Sequence, residues 1–319
     1  MYAILIQDNQ DLVWSQVPDP QPQDDQVIID VHAAALNRAD LLQRMGQYPP
    51  PPGWPDWMGL EVAGVISYAP TYSRWQVGDK VCALLGGGGY AEKVAVPQGM
   101  VLPIPDGLSF VEAAAIPEAF ATSYLNLCIE GQMQQGDTVF IQAGASGLGM
   151  AAIQLAKAMD AKVITTVSTD DKADFVKSLG ADVAINRKTQ NIAEVLAQHP
   201  ANVAMDCVAG SDMGHCIATM AHGGRWIVIA TLGGDKTQID MNDFFRRGVK
   251  LIGSTLRSRT SQMKADILGQ LQTRLWPAFT AGQIKVHIHQ TLPIIEAQAA
   301  HDILKNRENL GKVVLTVNG

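Results

Sequence analysis

Cysteine is scarce in this chain, and the four present are scattered. Cys82, Cys128, Cys207 and Cys216 include no CxxC pair, which removes the sequence signs of a zinc lobe, a redox dithiol or a disulfide framework. Thiols buried as small hydrophobes are the plain reading. Charge is also thin, at 17% of residues, and its balance is acidic, with a formal net charge of −7. A surplus of carboxylates opposes binding to a phosphate backbone, so no nucleic-acid partner is expected. No apolar run reaches the roughly 18 residues that a membrane span requires. The first ten residues, MYAILIQDNQ, have neither the basic start nor the apolar core of a signal peptide. The expectation is a cytoplasmic protein with no membrane partner.

What is present is enough apolar material, 47% of 319 residues, to build two cores without metal or disulfide staples. Residues 1–118 read as strand-rich, with VIIDVHAAA, EVAGVISYA, DKVCALL and AEKVAVP set between Pro, Gly and Asp turns. Within them, YPPPPGWPDW (48–57) is a stiff extended loop, because consecutive prolines fix φ and remove backbone donors. From about residue 120 strands alternate with helices, as in βαβ units around a parallel sheet. The expected strands are 138–142, 162–167, 182–185, 203–207, 225–229 and 250–253. A helical stretch over 261–280, a segment 285–292, a helix near 296–306 and a strand over 311–317 follow. That tail could return to the first domain, which would put the active site in the cleft between domains.

The strongest chemical signal is TVFIQAGASGLGMAAIQLA, a strand, a glycine-rich turn and a helix. Gly144 and Gly149 take the outer positions of GxGxxG, Ser146 stands at the middle one, and Gly147 adds a glycine one step later. Backbone N–H groups of Gly144, Ala145, Ser146, Gly147, Leu148 and Gly149 at a helix N-terminus would face a dinucleotide pyrophosphate, which the helix dipole favours. The alternative is an ordinary strand-to-helix turn that uses glycine for close packing. The second strand, KVITTV, runs into Ser168 and Thr169 rather than the Asp or Glu that binds the ribose 2′-OH of NAD. Asp170 and Asp171 come too late and fit the first turn of the next helix. Ser168, Lys172 and Arg187 instead form a candidate 2′-phosphate pocket, which points to NADPH; the alternative for each is a solvated side chain.

Together, LNRADLLQRMGQYPPPPG (36–53), GLEVAGVI (59–66), VGDKVCALLGGGGYAEKVAVP (77–97), AAAIPEAFATSYLNL (113–127) and AGASGLG resemble the medium-chain dehydrogenase/reductase superfamily. Within it they resemble the zinc-independent quinone oxidoreductases related to zeta-crystallin, in particular the branch with a stress-inducible animal NADPH:quinone oxidoreductase. The resemblance implies an α/β fold: a GroES-like β-barrel-type catalytic domain (1–118 and 256–319) and a Rossmann domain with a doubly wound parallel sheet (119–255). Zinc-containing relatives place a Cys near position 37 and a His-Glu pair after the glycine at position 59. Here stand Asn37 and Leu60–Glu61, too few ligands for a catalytic zinc, so no metal is expected.

By the same resemblance, Tyr48, Asn37 and Asp40 should lie near nicotinamide and substrate, with Tyr48 offering an aromatic face and a phenolic O–H to a quinone. Their alternatives are a tyrosine packed on the proline run and a helix cap with its early acid. Thr122 resembles a cofactor-contacting threonine, with a local backbone hydrogen bond as the alternative. Gly86–Gly89 could approach the cofactor or form a flexible turn. Arg257 and Arg259 belong to the interdomain cleft or a dimer surface, and Lys312 touches the cofactor or is solvated. The expected activity is zinc-free hydride transfer from NADPH to a small quinone, by a homodimer. Reduction of an activated carbon–carbon double bond and non-catalytic NADPH binding are the rivals.

Overall fold

The structure, a computed structural model, describes residues 1–317, which fall into two compact units, residues 1–121 with 257–317 and residues 122–256. In the first unit, strand Gln26–Ala35 organises a seven-stranded sheet by pairing antiparallel with Glu61–Tyr68, Lys93–Pro97 and Lys312–Thr316. Its side chains alternate between half-buried and buried and end in three buried alanines, Ala33–Ala35, the period-two pattern of a sheet with one covered face. Part of that cover is helix Phe110–Ala114, whose Phe110 ring stacks on His32 at 4.4 Å. Strands Ile288–Pro293 and Lys312–Thr316 extend the same sheet, so the last residues complete a core that the first hundred begin. A hairpin of Tyr2–Ile6 with Leu12–Gln16 was not among the strands read from sequence.

The second unit is a six-stranded parallel sheet. In space its strands run Val183–Asn186, Lys162–Val167, Thr138–Ile141, Val203–Asp206, Arg225–Val228 and Lys250–Gly253. Each starts and stops within one residue of the expected strand. In chain order this is third, second, first, fourth, fifth, sixth, the doubly wound arrangement. The first strand therefore sits where the order reverses, the point at which such sheets open a crevice beyond their carboxyl ends. Its packing is carried by Phe140, Ile164, Ile185, Ala204 and Trp226, all buried. Among the described residues no helix is long and apolar enough to cross a membrane.

Candidate functional site

Three chain segments meet at one end of the antiparallel sheet. Strand Gln26–Ala35 ends two residues before Asn37, the cap of helix Arg38–Arg44. Strand Glu61–Tyr68 starts beside that end, with Val62 opposite Ala34. On the other side Val314 lies opposite Ala35, so this register delivers Lys312 as well.

Lys312 Nζ lies 2.5 Å from Glu61 Oε1 and donates to Asn37 Oδ1 at 2.9 Å and to the Leu36 carbonyl at 2.7 Å. Asn37 Nδ2 donates to Glu61 Oε1 at 3.0 Å, and Glu61 Oε2 accepts the Glu118 N–H at 2.8 Å. Glu118 follows Pro117 in the first turn of helix Pro117–Tyr124, where a carboxylate is favoured by the helix dipole. The ion pair is buried, its side chains 3% and 0% exposed, and such a pair survives burial only when its remaining polar atoms are satisfied. Lys312 is thus not a solvated lysine.

Asp40 is buried alongside. Its Oδ2 accepts from the Asn37 N–H at 2.7 Å and the Tyr90 hydroxyl at 3.0 Å, and its Oδ1 lies 3.4 Å from the Gly59 N–H. Burial pushes its carboxyl up to about 6, opposed by these bonds and by the Lys312 charge. Gly59 is dictated by the close approach: its φ is +107°, and a Cβ there would stand 2.5 Å from the Tyr90 nitrogen. Asn37 and Asp40 therefore have the capping geometry that was the alternative to a substrate contact, and their polar atoms are engaged within the chain.

The same helix presents Gln43, also buried, to Arg257. Arg257 donates to Gln43 Oε1 at 2.6 Å, to the Tyr48 carbonyl at 2.8 Å and to the Gly86 carbonyl at 3.0 Å. Its guanidinium carbon lies 4.7 Å from the centre of the Tyr48 ring. Arg257 is only 5% exposed, a place that sequence left undecided. Tyr48 is half-buried, and among the described residues no group hydrogen-bonds its hydroxyl. Burial raises its pKa, Glu118 adds to the rise and Arg257 opposes it. Gly86–Gly89 is a buried run rather than a flexible turn: a Cβ on Gly86 would stand 2.6 Å from the Trp54 ring, so these glycines let the proline-rich loop lie flat.

In the second unit the turn after strand Thr138–Ile141 passes through Ala143, at φ +57°, and opens helix Gly147–Ala158, which Ser146 caps. The Ser146 hydroxyl accepts the Gly149 N–H at 3.0 Å and donates to the Ala143 carbonyl at 2.8 Å. A Cβ on Gly149 would fall 2.5 Å from the Ala143 oxygen, and one on Gly144 would meet the Thr165 side chain. Both glycines thus serve close packing of the turn itself. Among the described residues the N–H groups of Gly147 and Leu148 find no acceptor, and Ala145, between Gly144 and Ser146, is buried. Free first-turn donors at the head of a 12-residue helix, beyond the central strand of the sheet, fit a pyrophosphate.

Two strand ends and a helix carry the candidate 2′-phosphate residues. Asn186 pairs with Val167, and the Arg187 N–H donates to the Val167 carbonyl at 3.0 Å. Ser168 and Arg187 therefore leave neighbouring strand ends side by side. Lys172 stands in the first turn of helix Asp170–Ser178, capped by Thr169. Asp170 and Asp171 occupy that same turn, as expected, and Asp170 accepts from Asn186 Nδ2 at 2.9 Å. Thr122 lies in helix Pro117–Tyr124, and its carbonyl accepts from Asn126 Nδ2 at 2.7 Å.

Asp206 escaped the reading of the sequence. It ends strand Val203–Asp206, accepts the Val208 and Ala209 N–H groups at 2.7 and 2.9 Å, and receives Trp226 Nε1 at 3.1 Å. It thereby holds a loop in which Ala209 has φ +53°. Its signal was a carboxylate closing an otherwise apolar strand.

For a zinc ion the residues at the sheet end are a poor fit. An amide, a leucine and a carboxylate already bound to an ammonium group leave no three-ligand set. Among the described residues no three His, Cys, Asp or Glu side chains converge as metal ligands.

Known proteins resemble this chain along its whole length. Residues 23–106 match the model of the alcohol dehydrogenase GroES-like domain, and residues 147–272 that of zinc-binding dehydrogenase. The quinone oxidoreductase of Sus scrofa is 30% identical over 308 residues, covering 94% of this chain and 92% of that protein. The crystal structure of the quinone oxidoreductase from Thermus thermophilus, described also in complex with NADPH, is 31% identical with a TM-score of 0.82, over 99% of this chain and 100% of that one. The CurK enoyl reductase is 26% identical with a TM-score of 0.84, over 99% and 98% of the two chains.

Proposed function

The chain belongs to the medium-chain dehydrogenase/reductase superfamily, as a relative of the quinone oxidoreductases, and from that premise we propose that it reduces small quinones with NADPH. The observation that carries this reading is the Asn37–Glu61–Lys312 cluster. Where zinc-containing relatives polarise a carbonyl with a metal, this chain holds an ion pair whose charges are already matched. An acceptor must then be electrophilic on its own account, and a quinone is.

Bound NADPH supplies hydride from nicotinamide C4. Gly147 and Leu148 give their free N–H groups to its pyrophosphate, and Ser168, Lys172 and Arg187 offset its 2′-phosphate. Thr122 is assigned to the nicotinamide end. Tyr48 contributes a ring face and an unengaged hydroxyl to the acceptor, while Asn37 and Asp40 position the helix that carries the Arg257 contact. The work of these groups is binding and orientation rather than covalent chemistry.

The test is anaerobic oxidation of NADPH and NADH by the metal-free protein with 1,2-quinones, 1,4-quinones and an enone as parallel acceptors. Faster NADPH turnover with quinones is the expected result. Turnover with the enone alone would replace this reading by alkene reduction, the class named in the similar CurK enoyl reductase, and binding without turnover would leave a non-catalytic NADPH holder.

The proposal includes a homodimer. Strand Lys250–Gly253 is one of the two edges of the parallel sheet, Leu251 on it is 44% exposed, and Phe245 in the helix before it is 66% exposed. An apolar open edge invites a second strand. Light scattering should give twice the chain mass, falling to one chain in Leu251→Lys; a wild-type monomer at micromolar concentration would refute it.

A further inference from the structure

A buried guanidinium usually has a carboxylate against it, because an unpaired charge loses its hydration with nothing in return. Among the described residues Arg257 has none in hydrogen-bond contact, and the Asp40 and Glu118 carboxylates act on its charge only from farther off. Its three acceptors, Gln43 Oε1 and the carbonyls of Tyr48 and Gly86, are all uncharged. A second buried cation, Lys264, donates to the Arg257 carbonyl at 2.9 Å and adds positive rather than negative charge. A neutral donor could tie the same three oxygens, so the charge itself calls for a partner. The Tyr48 ring, 4.7 Å away, is the group packed against the guanidinium; Asp40 and Glu118 share in offsetting the charge, and Glu118 also acts on Tyr48, so both carboxylates are kept in every variant of the test.

We propose that Arg257 is a positioning residue for the reduction site: it clamps Tyr48 and, as a cation on the ring face, strengthens the phenolic O–H as hydrogen-bond donor to an oxygen of the bound quinone. The proposal rests on the assignment of Tyr48 to the acceptor. Its physical basis is that a cation on a π face favours the more electron-rich form of the ring, and the phenolate-like character that develops as the O–H donates is such a form. The clamp also fixes direction. The Tyr48 carbonyl and ring are both held by one guanidinium, whose fork leaves little freedom to the intervening torsions, and Gln43, on the helix bearing Asp40, ties that fork to the helix while its own amide is fixed by a bond to the Asp56 carbonyl at 2.8 Å.

The test reads Tyr48 itself in the full-length protein without cofactor. Fluorotyrosine is incorporated, the Tyr48 ¹⁹F signal among six tyrosines is assigned by its loss in Tyr48→Phe, and its titration is followed in wild type, Arg257→Lys and Arg257→Met. Arg257→Met should move the midpoint upward. Arg257→Lys, which keeps the charge but not the fork, should move it less, and it serves as the variant that folds if Met does not. Quinone kcat/KM should fall roughly tenfold in Arg257→Met, the size of one desolvated cation–π contact, and the effect should vanish when Tyr48 is already Phe. Unchanged midpoints in both variants would overturn the proposal and leave Arg257 a structural tie. Full quinone turnover by Tyr48→Phe would remove the Tyr48 assignment, and the proposal with it, whatever the titration shows.

Discussion

The candidate site residues of the two units are built from opposite materials. At the end of the antiparallel sheet the architecture is made of side chains: Asn37, Asp40, Glu61, Tyr90 and Lys312 are joined by charged hydrogen bonds in a buried setting. In the turn before helix Gly147–Ala158 it is made of backbone, with glycines that permit close approach and a serine cap that satisfies one donor. Side-chain construction is specific but exposed to the cost of any unpaired charge. Backbone construction tolerates changes of chemistry nearby yet not an added carbon atom. The two should therefore fail differently when altered.

The largest effect belongs to the ion pair. Lys312→Met leaves the Glu61 carboxylate buried with only the neutral Asn37 amide and Glu118 N–H as partners, and a loss of roughly 3–5 kcal/mol in stability is expected, read as a lowered midpoint in urea. Replacing both partners, with Glu61→Leu and Lys312→Met together, should recover most of it, because the desolvation of two charges disappears with them. Equal losses in the single and double variants would mean that the cluster's hydrogen bonds to Asn37 and Glu118, not its charge balance, hold the sheet end.

Next comes the backbone half. Gly149→Ala places a carbon 2.5 Å from the Ala143 oxygen and the Gly144 Cα, neither of which can rotate away. Overpacking of this kind costs on the order of 2 kcal/mol, and NADPH affinity should fall with it as the first helical turn shifts. Unchanged affinity, measured by fluorescence of the bound nucleotide, would separate the turn's packing from its proposed use.

His301 gives a comparable effect that depends on pH. It is buried beside Tyr90, and neither ring nitrogen has a partner among the described residues. Burial, with the Arg44 charge behind it, pulls its pKa down from 6.5 to about 3. The unfolded chain therefore takes up this proton first, so the neutral ring's contribution is intact above about 6.5 and is lost as pH falls toward about 3. Relative to wild type, His301→Leu should gain about 2 kcal/mol in going from pH 7 to pH 5. A constant difference across that range would show that the ring is reached by water. Asp40 works in the opposite sense: its carboxyl, raised from 3.8 to about 6, destabilises the fold when ionised, and stability from this group increases as pH drops through 6.

Legibility in the sequence follows the same division. The parallel sheet was readable strand by strand, because buried parallel strands are short apolar runs punctuated by glycine and the turn carries its own spacing. The side-chain half was readable only as a list of residues. Asn37 and Asp40 stood at cap spacing, but nothing local says that Lys312, 275 positions after Asn37, enters by sheet register. Arg257 was equally opaque, since its three acceptors come from Gln43, Tyr48 and Gly86 and two of them are backbone carbonyls. Residue type does not reveal a carbonyl's neighbour. The hairpin Tyr2–Ile6 with Leu12–Gln16 was missed for a simpler reason: Tyr2 and Val13 are exposed, and the pattern of a buried face is weak there.

The smallest effect tests whether the backbone half extends to cofactor choice. Ser168 and Arg187 emerge together because Asn186 pairs with Val167, and Arg187 is exposed, so truncating it removes charge from solvent and should change stability by no more than about 0.5 kcal/mol. Its proposed partner, a 2′-phosphate, exists only in NADPH. Each of Arg187→Ala and Lys172→Ala should then lower kcat/KM with NADPH by about tenfold, the worth of one charge-assisted contact, while leaving kcat/KM with NADH unchanged, and added salt should shrink the gap. If both variants keep the wild-type preference, discrimination lies elsewhere on the second unit. If NADH turnover falls in parallel, the two cations serve the shared diphosphate or the fold, and the backbone turn is not the sole anchor of the cofactor.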